Sequence, residues 1–587
     1  MNFSLKKDST VNSLFASSSI AIPDVKSITG LIPNAGQLIY SNGTLYFGNG
    51  SRWVATSSTD QNVSEVIVVG AGNAGCALAR QLSSKYSVTL LEYGYDQSSD
   101  PEIATPSSNF TLASQHTNRY FCPLGNATAA QAAPSTARGP AFAGKTMGGN
   151  SAVNALQMTQ GTSSYYDQWA ALVGDSSWGS ANVDSIYKRI QKFNGIADYN
   201  PSAHGFTGPL DVKQVVVNEQ AADFFSTTTS TLESVAINVD YNDFASPIGT
   251  YKYWQVTETP NSSRADAYSA YLKSVVVQDP ANPNVYRSVG TPFPIKIVTR
   301  ARLQQILFNT SSGTPNATGV MAVVDGIITQ FTSTKYVVLA TGFQTSAYLQ
   351  CSGIGDAAHL TSLGITPLID NPNVGQHMLN HIVIPLTGVV GLNPNPFTPL
   401  PPGFDTQGLY SGGAQLANLL GDRAYQFVCT ADPVAEGVTP TSFTISGIAM
   451  DMKSEGYISI FDRDINSIPI YNYNYFSDPY DITSAVAMYT KMYNVLVAMG
   501  LTPQGPDPVL NPADVITYIT SNFTNANHWV GMNRMSVNSS TGVVDHNALV
   551  FGTQNLYVCD ISIVPLNTQG NIQAVAYLLG NIIADKL

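Results

Sequence analysis

The chain has few charged side chains for its length. Only 11% of its 587 residues are Asp, Glu, Lys or Arg, against about 25% in an average soluble protein. Acidic residues outnumber basic ones, 39 to 27, and the formal net charge is −12. Because an acidic surface repels phosphate, this balance disfavours binding of nucleic acid over the whole surface, although it does not exclude a local basic patch.

Cysteine and long apolar runs are also scarce. No stretch of 18 apolar residues occurs, so we predict no transmembrane helix and no membrane partner. Residues 1–22 lack the apolar segment of a secretory signal, and the sequence leaves the location of the protein open. The five cysteines form no cluster with histidine and predict no metal site and at most two disulfides; they are Cys76, Cys122, Cys351, Cys429 and Cys559.

What the chain does contain is apolar material, 44% of all residues, which is enough for a large core and three or four domains. Residues 1–30 are rich in serine and show no helical or strand period. Short aromatic and β-branched runs follow at 38–54, separated by Asn-Gly pairs that favour hairpin turns. We interpret residues 1–60 as an N-terminal arm and β-meander that serve as an attachment module, with a decorative extension as the alternative.

A change of composition at residue 64 introduces a βαβ pattern. A continuous apolar run at 65–69 predicts a strand that is buried on both faces of a parallel sheet. The sequence Gly70-Ala-Gly-Asn-Ala-Gly75 follows it and opens a helix at Cys76–Leu82. A second predicted strand, Ser87–Leu91, ends at an acidic residue. In this full context the glycine pattern predicts a dinucleotide-binding site.

Each residue of that pattern has a physical role. Gly70 permits the tight turn, Gly72 lets the backbone approach a pyrophosphate, and Gly75 allows the helix to pack closely on the strand. The helix N-terminus supplies unpaired N–H groups to the phosphates. Glu92 can accept hydrogen bonds from both ribose hydroxyls, which favours FAD or NAD over a cofactor with a phosphorylated ribose.

A second glycine-rich stretch lies at 143–155. It lacks the first glycine of a P-loop, but its Gly148-Gly149 pair suits a backbone that runs close under a flat or anionic ligand. Taken alone, it is equally well explained as a tight turn before a helix.

These glycine-rich stretches and the segments that follow them resemble the glucose–methanol–choline (GMC) oxidoreductase family. The stretch Gly144-Lys-Thr-Met-Gly-Gly-Asn-Ser-Ala-Val-Asn154 is similar to its first signature and residues 339–355 to its second. The resemblance runs from about residue 64 to 587 and leaves the first 60 residues outside. Its ordered landmarks are the segments 144–154, 204–210, 339–355, 473–479, 527–531 and 570–574.

The resemblance implies an α/β fold combined with antiparallel β structure. A doubly wound FAD-binding domain is expected at 61–205, 295–385 and 540–587. A second, substrate-binding domain built on a large antiparallel sheet is expected at 206–294 and 386–539.

The resemblance also implies which residues bind FAD. Gly70, Gly72 and Gly75 would face the pyrophosphate and Glu92 the adenosine ribose. Some members attach the flavin to a histidine shortly before the first signature, and Ala141 stands at that position here, so non-covalent FAD is expected. The remaining expected contacts are Gly149 and Asn154 along the flavin, Leu303 at the adenine through its backbone, and Asp560 near the ribityl–phosphate end.

The expected reaction is oxidation of a small-molecule alcohol to an aldehyde or ketone, with hydride transfer to flavin N5 and reoxidation by oxygen or another acceptor. A neutral imidazole is a suitable acceptor for the hydroxyl proton. By position in the family, His528 would be this base and Asn571 would hold the alcohol oxygen. The Asn527-His-Trp pattern is similar to that of cellobiose dehydrogenases and aryl-alcohol oxidases, which implies an aromatic or sugar-like primary alcohol.

The chain departs from the family pattern at several positions. Asn380-His381 replaces the usual Asp-His, and Met532 stands where a threonine is usual near the flavin. None of these changes removes His528 or Asn571, and we expect them to affect turnover more than flavin binding. The other histidines show no catalytic context and are interpreted as structural; they are His116, His359, His377, His381 and His546.

A second class of function stays open beside the enzyme. The weak leader, the sparsely charged surface and the Asn-Gly meander resemble virion-associated GMC-like proteins of large DNA viruses. In that interpretation the chain is a fibre or particle component, a homo-oligomer or part of a larger assembly, with weak or lost activity. A lyase that cleaves a cyanohydrin is a minor alternative within the family.

Overall fold

The computed structural model of the protein describes most of the chain. The predicted arm (1–30), both Asn-Gly turns of the meander, the side chain of Cys122 and His116 lie outside the described residues. The described residues are 38–41, 44–48, 53–55, 62–106, 121–127, 141–216, 218–237, 239–245, 248–391, 395–399, 410–433, 435–465, 467 and 469–587.

The strands of the described part are, in chain order, β1 (Leu38–Ser41), β2 (Thr44–Gly48), β3 (Trp53–Ala55), β4 (Val63–Val69), β5 (Val88–Leu91), β6 (Phe121–Ala127), β7 (Ala141–Gly144), β8 (Gln191–Asn194), β9 (Leu210–Val215), β10 (Gly249–Tyr251), β11 (Trp254–Val256), β12 (Val276–Asp279), β13 (Asn282–Ser288), β14 (Ile295–Val298), β15 (Ala301–Asn309), β16 (Asn316–Val324), β17 (Ile327–Leu339), β18 (Ile354–Gly355), β19 (Ile369–Asp370), β20 (Ile382–Val390), β21 (Gly413–Ala417), β22 (Arg423–Asp432), β23 (Ser442–Ala449), β24 (Tyr457–Ser459), β25 (Ile470–Asn472), β26 (Leu501–Pro503), β27 (Thr524–Asn525) and β28 (Leu556–Val558).

The α-helices of the same residues are α1 (Asn73–Leu82), α2 (Pro101–Ala104), α3 (Ser163–Val173), α4 (Ser180–Ile190), α5 (Glu219–Glu233), α6 (Ala267–Tyr271), α7 (Thr345–Cys351), α8 (Ala357–Ser362), α9 (Pro479–Ala498), α10 (Pro512–Asn522) and α11 (Gln573–Lys586). Short 3-10 turns lie at Gly149–Ala152, Ser176–Trp178, Pro201–Ala203, Gly342–Gln344 and Ile561–Ile563. No helix of the described residues is long and apolar enough to cross a membrane.

A nine-stranded sheet forms the first layer of the molecule. Its order is β12-β13-β14-β5-β4-β17-β16-β15, with β28 paired to β17. The strands β14, β5, β4, β17 and β28 run parallel to one another, whereas β13 and β16 pair with this group in antiparallel order. Strand β4 contains the apolar run that the sequence predicted to be buried on both faces, and its carboxyl half is buried throughout.

The carboxyl ends of these parallel strands meet at one edge, where consecutive backbone hydrogen bonds link the turns that follow them. The Gly70 N–H donates to the Leu91 carbonyl and the Ala340 N–H to the Val69 carbonyl, each at 2.7 Å. Open parallel sheets place their ligand sites outside this edge. The predicted first strand, helix and second strand are therefore confirmed as β4, α1 and β5.

A seven-stranded antiparallel sheet forms the second layer. Its order is β10-β21-β22-β23-β20-β26, and β27 pairs with β20. One face packs against α9, with Phe427, Ile445 and Met488 fully buried in a common core. Helix α9 begins where the Asp478 side chain accepts a hydrogen bond from the Tyr480 N–H at 2.8 Å, with Pro479 in the first turn. The predicted fold, a doubly wound domain with a large antiparallel sheet beside it, is confirmed.

The division of the chain into domains stays a prediction. Strands β12 and β13 come from the segment 206–294, which sequence analysis assigned to the substrate-binding domain, and they join the nine-stranded sheet through β14. At the other end of the chain, β1, β2 and β3 pair in antiparallel order as a separate small sheet. The four cysteines whose side chains are described, Cys76, Cys351, Cys429 and Cys559, are free.

Two buried helices, α1 and α11, pack together beneath the carboxyl edge. Gly580 of α11 makes the close approach possible, because a Cβ atom there would lie 2.4 Å from the carbonyl oxygen of Ala74 and 2.8 Å from the Cβ of Ala77. The helix that follows Asn571 is thereby fixed against the helix that follows Gly72.

We expect Gly580→Ala to destabilise the protein by about 1–3 kcal/mol through overpacking, although alanine in an open helix is favoured by about 1 kcal/mol. Denaturant unfolding of the purified protein measures the change. An increase in the free energy of unfolding would show that the two helices are free to move apart.

Candidate active site

A cavity of about 660 Å³ lies between the carboxyl edge of the nine-stranded sheet and the seven-stranded sheet. Both sheets and the start of α11 contribute to its wall. Of the ten predicted site residues, nine line it: Gly70, Gly72, Glu92, Gly149, Asn154, Leu303, His528, Asp560 and Asn571. The structure thus brings together residues as far apart in the chain as Gly70 and Asn571.

The tenth predicted residue, Gly75, lies inside α1 and not on the cavity wall. A Cβ atom there would come within 1.9 Å of the Gly70 carbonyl oxygen. Gly75 therefore allows α1 to pack on the turn after β4, as the βαβ pattern predicted, and its contribution to a ligand is indirect.

The glycine turns leave room at the N-terminus of α1. Gly70 has φ +104°, and a Cβ atom there would meet the Ala340 carbonyl oxygen at 2.4 Å. By contrast, no described atom lies within 4 Å of the position of a Gly72 Cβ, which belongs to the cavity wall. No side chain caps α1 and its first turn holds no acidic residue, so its N-terminal N–H groups and positive dipole suit an anionic group.

Two carboxylates, those of Glu92 and Asp560, line the cavity at the carboxyl edge of the nine-stranded sheet. Glu92 accepts hydrogen bonds from the Ala71 N–H at 2.8 Å and the Gly94 N–H at 2.6 Å, and burial raises its pKa to about 7. Asp560 accepts from the Gly342 N–H at 2.9 Å and the Thr345 hydroxyl at 2.6 Å, and burial raises its pKa as well. Backbone donors therefore fix both carboxylates while each keeps acceptor capacity for a hydroxyl group.

These features fit FAD. The open N-terminus of α1 suits the pyrophosphate, and Glu92 suits the adenosine ribose. Gly149, whose Cβ position is 2.8 Å from the Gly72 Cα, runs close beneath the same cavity. Asn154 is held on the wall by a 2.6 Å hydrogen bond from its amide nitrogen to Gln573. Leu303 contributes to the wall from β15.

His528 and Asn571 lie together on the other side of the cavity. The His528 Nε2 atom is 3.3 Å from the Asn571 Nδ2 atom. The Asn571 Oδ1 atom accepts hydrogen bonds from Thr159 at 3.2 Å and Gln426 at 3.0 Å. Because two donors hold the carbonyl oxygen, the amide NH2 group points to His528, where it can donate to the ring or to a substrate oxygen.

The structure adds His381 to the site. Its Nδ1 atom lies 3.0 Å from the Nδ1 atom of His528. The two histidines face each other because Leu379 and Val530 exchange backbone hydrogen bonds at 2.9 and 3.0 Å and the Ala526 N–H donates to the His381 carbonyl. Sequence analysis interpreted His381 as a structural histidine and did not anticipate its contact with His528. The only signal in the sequence was its position in the altered Asn-His pair.

Asn380 holds the two histidine segments together. Its Oδ1 atom accepts hydrogen bonds from the backbone N–H groups of His381 and His528, both at 2.9 Å, and its amide donates to the Tyr475 hydroxyl at 2.8 Å. The acceptor of these two backbone hydrogen bonds is an uncharged amide at a position where the family usually has a carboxylate.

Both imidazoles favour the neutral form. Burial lowers the pKa of His381 to about 4. Burial also lowers the pKa of His528 well below its usual value, and the neighbouring His381 lowers it further. In the tautomer in which His528 Nδ1–H donates to His381 Nδ1, the lone pair of His528 lies on Nε2, next to the Asn571 amide.

Met532, which stands where the family usually has a threonine near the flavin, does not reach the cavity. Its side chain is fully buried in an aromatic cluster with Phe343, Tyr473 and Trp529, and it does not line the cavity. Sequence analysis also missed Thr159, Gln426 and Gln573, since buried amides and hydroxyls on separate elements give no local pattern.

With fold and site established, comparison with known proteins identifies the family. Residues 64–383 and 452–580 match the amino-terminal and carboxy-terminal parts of the GMC oxidoreductase family. The chain belongs to the GMC oxidoreductase family, and its cofactor is FAD.

Curated relatives match along nearly their whole length. The 5-(hydroxymethyl)furfural oxidase of Methylovorus sp. (strain MP688) is 28% identical over 570 residues, covering 89% of this chain and 98% of the relative. The choline oxidase of Arthrobacter globiformis is 24% identical and covers 89% of this chain and 94% of the relative.

Solved structures share the fold. Pyridoxine 4-oxidase from Mesorbium loti superimposes with a TM-score of 0.72 at 20% identity, covering 89% of this chain and 98% of that one. A variant of Aspergillus oryzae formate oxidase superimposes with a TM-score of 0.74 at 20% identity, covering 90% and 98%.

A pair of glycine variants separates packing from ligand contact. We expect Gly75→Ala to lower the free energy of unfolding of the apoprotein by about 1–3 kcal/mol, because its Cβ would overlap the Gly70 carbonyl. Gly72→Ala should change apoprotein stability by less than about 0.5 kcal/mol, since its methyl group points into the cavity.

For Gly72→Ala we instead expect FAD affinity to fall at least about tenfold, an amount equal to about 1.4 kcal/mol. Denaturant unfolding and flavin titration measure the two effects. Unchanged FAD affinity in Gly72→Ala would show that the pyrophosphate does not approach this turn.

Proposed function

We propose that the protein is an FAD-dependent oxidoreductase that oxidises an alcohol to the aldehyde or ketone, with His528 as the base and Asn571 as the group that orients the alcohol oxygen. The observation that carries the proposal is the contact between the His528 Nε2 atom and the Asn571 amide on the wall of the same cavity as the dinucleotide turns.

The protein residues account for the proton. An alcohol oxygen between Asn571 and His528 accepts a hydrogen bond from the amide and donates its own proton toward the imidazole Nε2. His381 accepts from His528 Nδ1–H and keeps the lone pair at Nε2 directed into the cavity. Burial and the neighbouring His381 disfavour the imidazolium that forms, so His528 readily gives the proton up again. When bound, FAD supplies the acceptor for the hydride that leaves the carbinol carbon.

The remaining cofactor assignments are part of the proposal. Glu92 would bind the adenosine ribose, Gly149 and Asn154 would lie along the flavin, and Leu303 would meet the adenine. Asp560 would bind the ribityl–phosphate end. We propose that FAD is held non-covalently, since Ala141 offers no side-chain nucleophile where some members carry a histidine.

We expect His528→Asn to reduce the rate constant of anaerobic flavin reduction by an alcohol by about 10²–10⁴-fold, the usual contribution of a positioned base. Stopped-flow absorbance of the flavin measures it. His546→Asn is the matched control, because this histidine lies outside the cavity wall, and it should reduce at the wild-type rate. A His528→Asn variant that retains FAD and reacts at the wild-type rate would contradict the assignment.

The lowered pKa of His528 predicts an unusual pH dependence. The base acts in its neutral form, and a pKa well below 6.5 keeps it neutral in mild acid. We expect the rate constant of flavin reduction to stay level between about pH 8 and pH 5.5. An unshifted imidazole would instead lose activity below about pH 6.5, and such a profile is the contrary result.

Asn380→Asp should move this profile toward higher pH. A carboxylate beside the histidine pair favours the imidazolium form and raises its pKa, so the neutral base is lost at a higher pH. Asn282→Asp, an exposed change at the first residue of β13, serves as the control and should leave the profile unchanged. Identical profiles for Asn380→Asp and the wild type would show that the pair is insensitive to this position.

The role of a virion or fibre subunit, together with a homo-oligomeric state, stays a prediction. The feature that favours an added role is the small sheet of β1, β2 and β3, which precedes the part of the chain that matches the family. Particle sizing of the full chain and of a chain without residues 1–60 distinguishes an attachment module from an extension with no effect on assembly.

A further inference from the structure

One face of the seven-stranded sheet forms part of the cavity wall. Along β20, β22 and β23, alternate side chains turn toward the cavity, and the intervening ones are buried in the core against α9. We call the cavity-facing set the substrate floor. Val428 lies opposite Ser446 and Val383 lies opposite Ile448, which makes the surface continuous across the three strands. The substrate floor consists of Val383, Val428, Thr430, Ser446 and Ile448.

The substrate floor adjoins the reacting groups. Gln426, which donates to Asn571 at 3.0 Å, lies two residues before Val428 on the same face of β22. Strand β27, three residues before His528, pairs with β20 at Ile382 and Val383. A substrate whose hydroxyl lies between His528 and Asn571 therefore extends over this surface.

The chemistry of the substrate floor is uniformly neutral. Its members are three aliphatic side chains and two hydroxyl groups. Among the described residues that line the cavity, the acidic ones are Glu92 and Asp560, and both lie at the carboxyl edge on the cofactor side with backbone donors already attached. Along β22, the nearest ionisable side chain beyond Thr430 on this face is Asp432, which is exposed at the end of the strand.

A charged substrate group would lose its water on this surface without gaining an opposite charge. Burying an ion without a partner costs several kcal/mol, whereas an apolar group gains from burial and an ether or hydroxyl can pair with Thr430 or Ser446. We therefore expect the substrate floor to select substrates by their charge more than by their shape.

We propose that the substrate is an uncharged alcohol whose non-reacting part lies on the substrate floor, and that Val428, Ser446 and Ile448 determine this specificity. The inference rests on the proposed function and deepens it by naming the substrate class. Alcohols that carry a carboxylate or a quaternary ammonium group meet no opposite charge on the described cavity wall, and we expect them to be poor substrates.

Two matched series of alcohols test the inference on the FAD-loaded full-length protein. Each has a neutral, an anionic and a cationic member. The aromatic series is benzyl alcohol with a methoxymethyl, carboxymethyl or trimethylammoniomethyl group at the 4-position. The aliphatic series is 6-methoxyhexan-1-ol, 6-hydroxyhexanoate and (6-hydroxyhexyl)trimethylammonium. The intervening methylene groups keep the electronic effect on the carbinol carbon small.

The quantity measured is the rate constant of anaerobic flavin reduction divided by the dissociation constant. We expect both charged members to be at least about 30-fold poorer than the neutral member of the same series, which is about 2 kcal/mol. A charged member that matches or exceeds its neutral counterpart overturns the inference.

A single negative charge introduced on the substrate floor should make the trimethylammonium alcohols better substrates. Ser446→Glu should improve the value for the trimethylammonium alcohols at least tenfold, and Ser446→Gln, of equal size and no charge, should not. If Ser446→Glu fails to retain FAD, Thr430→Glu and Thr430→Gln make the same comparison on the adjacent strand. Equal behaviour of the Glu and Gln variants would overturn the assignment of this surface.

Failure of the proposed function is recognisable separately. If none of the alcohols reduces the flavin, the redox proposal fails, and dissociation constants from perturbation of the flavin absorbance still decide the inference. Tighter binding of the neutral members supports a neutral substrate floor, and equal or tighter binding of the charged members overturns it.

Discussion

Five parallel strands of this protein end at one edge, and the cofactor half of the candidate site is attached to the turns that follow them. Hydrogen bonds between consecutive turns, from Gly70 to Leu91 and from Ala340 to Val69, fix the spacing of these turns. The close contacts at Gly70 and Gly75 exclude side chains, so that backbone meets backbone and the N-terminus of α1 stays open. The carboxylates of Glu92 and Asp560 are held on the same edge by N–H groups of neighbouring turns. A change in this spacing would move the phosphate site and both carboxylates together.

The half of the candidate site that accepts the proton, around His528, depends on pairing between two distant segments of the chain. Antiparallel pairing between Leu379 and Val530 brings two histidines from distant segments into contact, and Asn380 ties their backbones together. Burial without a nearby carboxylate favours neutral imidazole, and neutral imidazole is the form that accepts a proton. The replacement of a carboxylate by Asn380, which looked like a loss in the sequence, is consistent with a base that stays uncharged. Asn571 is oriented in turn by Thr159 and Gln426, which belong to two further elements.

The seven-stranded sheet serves both packing and recognition because side chains alternate along a strand. Phe427 and Ile445 point into the core against α9, while their neighbours Val428 and Ser446 face the cavity. The same period that stabilises the sheet also supplies a continuous neutral surface next to the reacting groups. This surface contrasts with the acidic balance of the chain as a whole, whose net charge is −12. The composition of the chain therefore says little about the chemistry of its cavity.

The sequence alone determined the βαβ unit and the site residues within it, because Gly70, Gly72, Gly75 and Glu92 act through local backbone geometry that a short stretch encodes. It also pointed to His528 and Asn571, but only through their resemblance to a family and without their surroundings. The tertiary structure alone revealed His381 beside His528, the two donors that hold Asn571, and the neutral face of β22 and β23. These contacts join segments separated by tens to hundreds of residues, and no local pattern records which buried side chains a fold will place within 3 Å of each other. For Met532 the sequence was misleading in the opposite direction. Its position in the chain suggested a place next to the flavin, but its side chain is buried in an aromatic cluster.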